Sequence, residues 1–489
     1  MRNSLANTFS RYIPPFVASI LIGVFVYLVY GEGGYDDPYI TYRYAENLYA
    51  GLGFVYNAGE RVLSTTTPLF ALILAGVRLL WSNLPQAANL IGVASLTAGA
   101  LFLWDIAKGW DKPVAGWAAL VLYPTFGLLV RTLGSETPFY LALCLAAIAF
   151  YLRNKITITA TLLALATLTR GDAVILAVVL AIDWLIKHPL NSLKDLRALP
   201  WTGTAIGAGI LIAWTVFAVP YFGSPLPVTL AAKRGQGLME ISEDFLPGFF
   251  VILHPYTQII YFWVELIFLA IGIVYVIWQE RPWLLLLGWA VVYFIAYSLL
   301  GVTRYFWYYA PLVPAIVGMI GLGLEAVKEC IPPARAGRRF LAWASILTLA
   351  GLAIAQGIHL FQIRDNLDPR LTAYRMVGEW LSQNTSPTVA IGTLEVGVIG
   401  YYASPRPIID FAGLIQPEVA DLFAPQITYQ NTAIWAITMY KPRILVLYSG
   451  SFPYLEQTFV ADNCTRAKKF PGKETGYSQD LIIYKCQYP

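Results

Sequence analysis

From Val17 onward the chain alternates between apolar blocks about 15 to 22 residues long, almost free of charge, and short polar stretches. Blocks of that length have no amphipathic stripe and read as membrane spans. The pattern predicts spans near 17–30, 86–104, 114–130, 138–152, 156–169, 173–186, 203–222, 257–279, 283–302, 306–324 and 340–361, about eleven in all. Thr67 to Trp81 is also apolar, but it is short, starts beside Pro68 and carries Arg78, so it is read as a juxtamembrane helix lying in the interface. The first outer loop then runs over about 32–85.

The side of each loop follows from its basic residues. Arg2 and Arg11 precede the first block and no small-residue cleavage site follows it, so the N-terminus is placed in the cytoplasm and the first span is retained. Inner loops then hold Arg2, Arg11, Lys108, Lys112, Arg153, Lys155, Lys187, Lys194, Arg197, Arg281, Lys328, Arg335, Arg338 and Arg339. Outer loops hold only Arg43, Arg61, Arg78, Arg131, Arg170, Lys233, Arg234 and Arg304. Counting Thr67 to Trp81 as a span would send the basic clusters outside, against the positive-inside rule.

After Gln362 the pattern changes, because charges become regular and Pro, Asn, Thr and Ser interrupt short apolar runs. Residues 1–362 are therefore read as the membrane domain and 363–489 as an extracytoplasmic α/β domain. Leu371 to Leu381 and Thr432 to Tyr440 have helical spacing, while Thr388 to Gly392, Pro407 to Phe411 and Arg443 to Leu447 look like short buried strands. Cys464 and Cys486 both fall in this outer domain, where a disulfide fits an oxidising compartment and two free thiols are the alternative.

Composition removes other classes. Charged residues make up 13% and hydrophobic ones 57%, which excludes disorder, coiled coil and a disulfide-dense secreted fold. A net charge of +4 argues against nucleic acid as a partner. No CxxC, HExxH or Walker-type loop is present, and His188, His254 and His359 are far apart.

The unusual polar residues gather on the outer side. Asp36 and Asp37 leave the first span together, Arg131 and Glu136 lie in RTLGSETP, Arg170 and Asp172 in TRGD, Lys233 and Arg234 in LAAKRG, and Arg304 in TRYFWYY. Charges at the hydrocarbon boundary cost free energy unless they face a partner or a wet cavity. Singly, each reads as a snorkelling residue or a helix cap; two adjacent acids at a span exit are poor anchors. Such a set suits transfer of a group from a lipid-linked phosphate: a carboxylate acts as general base on an acceptor hydroxyl, and Arg or Lys stabilises the charge on the departing phosphate. Thr65 to Thr67, Tyr42, Tyr44, Tyr308 and Tyr309 are hydrogen-bonding or stacking candidates, although Tyr and Trp are also ordinary interface anchors. Glu265 is an acid inside a predicted span.

DDPYITYRYAENLYAGLGFVYNAGERVLSTTTPL resembles the first outer loop of a branch of the GT-C superfamily of integral-membrane glycosyltransferases, the branch that includes the mycobacterial terminal arabinofuranosyltransferases. GSETPFYL, LATLTRGDAV, YFGSPLPVTLAAK, RYFWYYAPLVP and EVGVIGYYASPRPIIDFAGL resemble it in matching order, although LTRGD departs from the commoner proline-containing version at Gly171. The resemblance implies a GT-C fold in a prokaryotic plasma membrane, a polyprenyl-phosphate sugar donor, and transfer with inversion outside the cytoplasm to a glycan, lipid or protein hydroxyl. It implies Asp36 as base and Asp37 as holder of the acceptor or of a divalent metal; no other cofactor is implied. Lys233, Arg304, Arg170 and Arg131 are the candidates for the donor phosphate, and Tyr42, Arg43, Glu136 and Tyr308 for substrate contact. The competing reading is a transporter or flippase of lipid-linked sugars, against which stand a one-sided polar set and the lack of an inverted repeat. A membrane-anchored carbohydrate-binding module needs only one or two spans.

Overall fold

The computed structural model describes residues 12–189, 197, 199–279, 283–330 and 336–488. Arg2, Arg11, Lys194, Arg281 and Arg335 of the inner basic set lie outside these residues, as does the side chain of Arg338.

Each predicted span contains a helix. Among the described residues, six stretches are long and apolar enough to cross a membrane: Ile13–Tyr30, Leu84–Gly109, Trp201–Phe222, Ile260–Trp278, Phe306–Glu329 and Arg339–Asn384. Thr137–Leu152, Ile156–Thr169, Ala173–Lys187 and Leu284–Leu300 are shorter. The architecture is that of a polytopic membrane protein. Several helices bury little of themselves: along Trp201–Phe222 only Gly203, Gly207 and Ala218 are buried, while Ile212, Val216 and Phe217 face outward. An all-round apolar helix exposed in this way has lipid as its natural solvent.

Two predicted spans are interrupted. The 114–130 segment forms Pro113–Leu122 and then Gly127–Val130, with turns across Tyr123 to Thr125. Pro124 accounts for the break, because its ring clashes with the preceding turn and it has no N–H to donate. The 306–324 segment begins with 3₁₀ turns at Phe306–Tyr308 and Ala310–Leu312, around Pro311 and ahead of Pro314, before Val313–Glu329. Thr67 to Trp81 contains Pro68–Arg78, an 11-residue helix, about 16 Å long, which is roughly half the thickness of a bilayer core. Arg78 pairs with Glu46 at 2.9 Å on the neighbouring Pro38–Tyr49 helix, and Leu79 and Leu80 beyond it are exposed.

The C-terminal part is built on a five-stranded sheet. Strands β1 (Ile391–Thr393), β2 (Ile408–Asp410), β3 (Ile444–Tyr448), β4 (Cys464–Phe470) and β5 (Leu481–Cys486) lie in the order β2-β1-β3-β5-β4. β1 is parallel to both β2 and β3, and β5 is antiparallel to β3 and β4. Alternation sends Ile391, Ile408, Ile444 and Val446 toward the Pro369–Asn384 helix, and Ile409, Leu445 and Leu447 toward Tyr429–Tyr440. The first of these cores does not stop at the sheet: Ile40, Tyr44, Phe54 and Tyr56 of the first outer loop are part of it. The loop and the sheet are packed as one body.

Cys464 and Cys486 are opposite each other in the β4–β5 ladder and are joined by a disulfide with an S–S distance of 2.06 Å. A bridge across 22 positions stabilises by about 3 kcal/mol through loop closure. Replacing both cysteines by serine is expected to lower the urea midpoint of the outer domain, followed by protease resistance of residues 464–486. An unchanged midpoint would mean that the ladder holds β4 unaided.

Candidate functional site

Three helices begin at the same place. Asp37, Glu136 and Asp172 are the N-cap residues of Pro38–Tyr49, Thr137–Leu152 and Ala173–Lys187, and proline at the start of the first two favours helix initiation there. An acid at an N-cap ordinarily accepts from its own helix amides. None of these three does so. All three instead line one cavity of about 630 Å³ and turn toward cations.

Lys233, from the Val228–Gly237 helix, meets Asp37 at 2.6 Å. Its ammonium also lies 4.7 Å from the centre of the Tyr305 ring and 5.1 Å from that of Trp307. Burial alone would lower the Lys233 pKa, but the Asp37 charge and hydrogen bond, with Tyr308 and Glu136, together outweigh it and the net shift is upward, so Lys233 stays charged. Arg170 reaches Asp172 at 2.7 Å and Glu136 at 3.3 Å, and Tyr297 donates to the same Asp172 oxygen at 2.7 Å. Burial raises Glu136 despite Arg170, whereas in Asp172 burial is outweighed by the Arg170 charge together with hydrogen bonds from Arg170, Tyr297 and Tyr293, and the carboxyl falls below its usual range. Tyr308 lies between the two cations, 5.8 Å from Arg170 and 5.9 Å from Lys233. The floor is lined by Thr65, Thr66 and Thr67. Thr65 and Thr67 are tied to Thr41 by hydroxyl contacts of 3.0 and 3.2 Å. The lining also includes the apolar side chains Ile175, Leu211, Trp214, Ala296 and Leu300 of the surrounding helices, with Thr167 and Thr215.

The structure thus brings Asp37, Lys233, Arg170, Glu136, Tyr308 and Thr65 to Thr67 together and separates Asp36, Tyr42, Arg43, Arg304 and Arg131 from them. Asp36, expected as the base, turns to the C-terminal domain, where Gly397 and Val398 donate their backbone N–H groups to its carboxylate at 3.0 and 2.7 Å. Tyr42 is a packing residue whose hydroxyl donates to the Gly134 carbonyl at 2.5 Å. Arg43 is 1% exposed and donates to the carbonyls of Tyr56, Gly400 and Arg406 at 2.9, 2.6 and 2.7 Å, leaving nothing for a substrate. Arg304 is half-exposed and pairs with Glu243 at 2.9 Å outside the cavity. Arg131 is exposed, near Tyr256 and His359. In both cases the span exit turned the side chain away, which linear position does not reveal. Glu265 is bound by Gln356 at 2.7 Å, apart from the site.

Asp37 does not fit the expected role of metal ligand. Lys233 occupies the position beside its carboxylate that a cation would take, and among the described residues no three His, Cys, Asp or Glu side chains are arranged to hold an ion. Residues not singled out from the sequence are Trp307 and Tyr305 around Lys233, and Glu395. Glu395 opens the EVGVIGYY segment, whose acid and two glycines were its only visible signal.

Behind Asp36 lie Glu395 and Asp410. Burial, then the Glu395 charge, pushes Asp36 up to about 8, and burial raises Glu395 and Asp410 each to about 7. Unfolded carboxyls titrate near 4, so the folded form binds protons more tightly. The stability these groups contribute is complete below about pH 4 and is lost as pH rises through 7 to 8. Melting temperature is expected to fall between pH 5 and 8.5, and to fall less in Glu395→Gln, which removes one titrating group and a like charge beside Asp36. Parallel profiles for the two proteins would show that Glu395 and Asp36 do not interact.

The fold resembles that of ArnT from Cupriavidus metallidurans. Its crystal structure bound to undecaprenyl phosphate aligns over 97% of this chain and 98% of that one, with 14% sequence identity and a TM-score of 0.63. The apo crystal structure of the same protein aligns over 98% of each chain, with 13% identity and a TM-score of 0.61. No curated protein matches the chain. Residues 362–484 match a domain of unknown function, DUF8728. What the comparisons establish is an ArnT-like architecture that runs through nearly the whole chain.

Proposed function

We propose that the chain is a GT-C glycosyltransferase that moves a sugar from a polyprenyl-phosphate donor to a hydroxyl of a glycan, lipid or protein acceptor on the extracytoplasmic side of a plasma membrane, related to the branch of the mycobacterial terminal arabinofuranosyltransferases. The observation that carries this reading is the Asp37–Lys233 pair in a cavity lined by both polar and apolar side chains. The shared fold adds support, since the ArnT crystal structure holds undecaprenyl phosphate. In this reading the protein crosses the membrane about eleven times, with the N-terminus inside and residues 363–489 outside.

The residues have distinct roles. A polyprenyl chain lies along Leu211, Trp214 and Leu300, and its phosphate reaches Lys233. The starts of three helices face the same space, so their partial positive ends favour an anion there. Arg170 is already neutralised by Asp172 and orders this wall, which leaves Lys233 as the main phosphate contact. As the ammonium turns to the phosphate, Asp37 is released to accept the proton of the acceptor hydroxyl. The new bond forms between that oxygen and the sugar's anomeric carbon while the bond from this carbon to phosphate breaks. One displacement inverts the anomeric centre, and the leaving phosphate's added charge is held by Lys233. A transporter needs a site reached from both sides, and the polar groups of this cavity lie at the helix starts on one side.

The test supplies membranes containing the wild-type protein with labelled polyprenyl-phosphate arabinose, mannose, glucose and galactose, and follows release of polyprenyl phosphate. Asp37→Asn is expected to slow release from the accepted donor by at least about a hundredfold while donor binding persists. Near-normal release would remove Asp37 from the chemistry. Lys233→Met is expected to cut turnover by at least about tenfold and to weaken donor binding. If binding and turnover are both unchanged, the phosphate lies elsewhere.

A further inference from the structure

Asp36 and Asp37 are neighbours in sequence, yet their side chains enter different parts of the molecule. Asp37 faces the cavity. Asp36 faces the turn between β1 and the short helix Val398–Tyr402, where its two carboxylate oxygens each accept a backbone N–H, from Val398 and from Gly397. Its main-chain carbonyl accepts from Tyr39 at 3.0 Å and so begins the Pro38–Tyr49 helix. One residue thereby connects the sheet domain to the start of the helix that carries Asp37.

The glycines of the turn explain why this approach is open. A Cβ on Gly397 would run into the carboxyl and main-chain carbonyl of Asp36, and one on Gly400 would run into the Tyr56 hydroxyl and crowd Arg43. Neither glycine has a positive φ, so the turn itself does not need them. Contact with the first outer loop does. Around this contact Tyr56 donates to the Val396 carbonyl at 2.5 Å, and Asn57 donates to the Ile408 carbonyl at 2.9 Å while accepting from the Ile408 N–H at 3.0 Å.

Resting on the transferase reading, we propose that Asp36 is a positioning residue: the Gly397–Val398 turn holds its carboxylate and so fixes the direction in which Asp37 points into the cavity. The C-terminal sheet domain is then part of the catalytic apparatus and not an appended module. Asp36 is not among the residues lining the cavity, so its carboxyl is out of reach of a substrate held there.

The full-length purified chain allows a test in which neither aspartate is altered. Gly397→Ala displaces the Asp36 carboxylate by adding one methyl group. It is expected to lower kcat by about tenfold to a hundredfold, as small misplacements of a reacting group do, with KM for the donor unchanged. Hydrogen exchange in residues 35–49 is expected to quicken in the same protein. Asp36→Asn keeps an oxygen that accepts from Val398 and is expected to retain more activity than Asp37→Asn. Should Gly397→Ala fail to fold, Val398→Pro removes a single donated N–H at a helix position that tolerates proline, and the same losses are expected. Wild-type kcat and exchange in the glycine or proline variant would overturn the proposal, as would an Asp36→Asn protein as inactive as Asp37→Asn. If the wild-type chain consumes no polyprenyl-phosphate sugar, the transferase reading fails by itself, and exchange in residues 35–49 still decides whether the turn orders the loop.

Discussion

A buried guanidinium held by main-chain carbonyls joins the loop after the first helix to the C-terminal sheet. Arg43 is closed in by the Tyr56 ring at 4.3 Å, and its charge is met by the carbonyls of Tyr56, Gly400 and Arg406. A buried cation is tolerable only when every donor is satisfied, and here the acceptors come from segments more than 340 positions apart. Neither segment can leave without stranding a charge. Burial accordingly lowers the Arg43 pKa while the fixed dipoles keep the group in place. The apolar core that joins Ile40, Tyr44 and Phe54 to Val377, Ile399 and Ile408 surrounds this contact and excludes water from it.

From that junction the two neighbouring acids acquire different chemistry. Asp36 is drawn to main-chain amides and placed near Glu395, where burial and like charge favour its neutral form. Asp37 is one peptide away but faces the Lys233 ammonium at 2.6 Å. The same principle repeats at Glu136 and Asp172 around Arg170. Three helix-starting acids forgo their capping bonds for cations across a cavity, and the first amides of these helices are met instead by preceding main-chain carbonyls and, at Thr137, by the Ser135 hydroxyl.

Much of the fold was legible along the chain. Long uncharged blocks have few alternatives to membrane helices, and the predicted positions of the buried parallel strands β1, β2 and β3 overlap those observed, because apolar runs bounded by turn residues are characteristic of them. Strands β4 and β5 were not anticipated. CTRAKKF is an edge strand whose lysines face solvent, so its identity comes from pairing with β5 and not from its own hydrophobicity. The breaks at Pro124 and Pro311 were present as proline signals, but an unbroken apolar background concealed them.

For the site, the sequence by itself determined the chemical inventory: acids and bases collected on the outer side, close to apolar blocks, in a chain with no alternative nucleophile or metal motif. It could do so because charge near hydrocarbon is costly and stands out in any linear reading. Only the tertiary structure decided which charge meets which. Lys233 finds Asp37 from 196 positions away, Arg304 finds Glu243 instead of the cavity, and Arg43 and Tyr42 become packing residues. Side-chain direction at a helix start depends on what the rest of the chain places opposite it. That information is absent from local spacing, which is why adjacent aspartates look equivalent in sequence and are not equivalent in the fold.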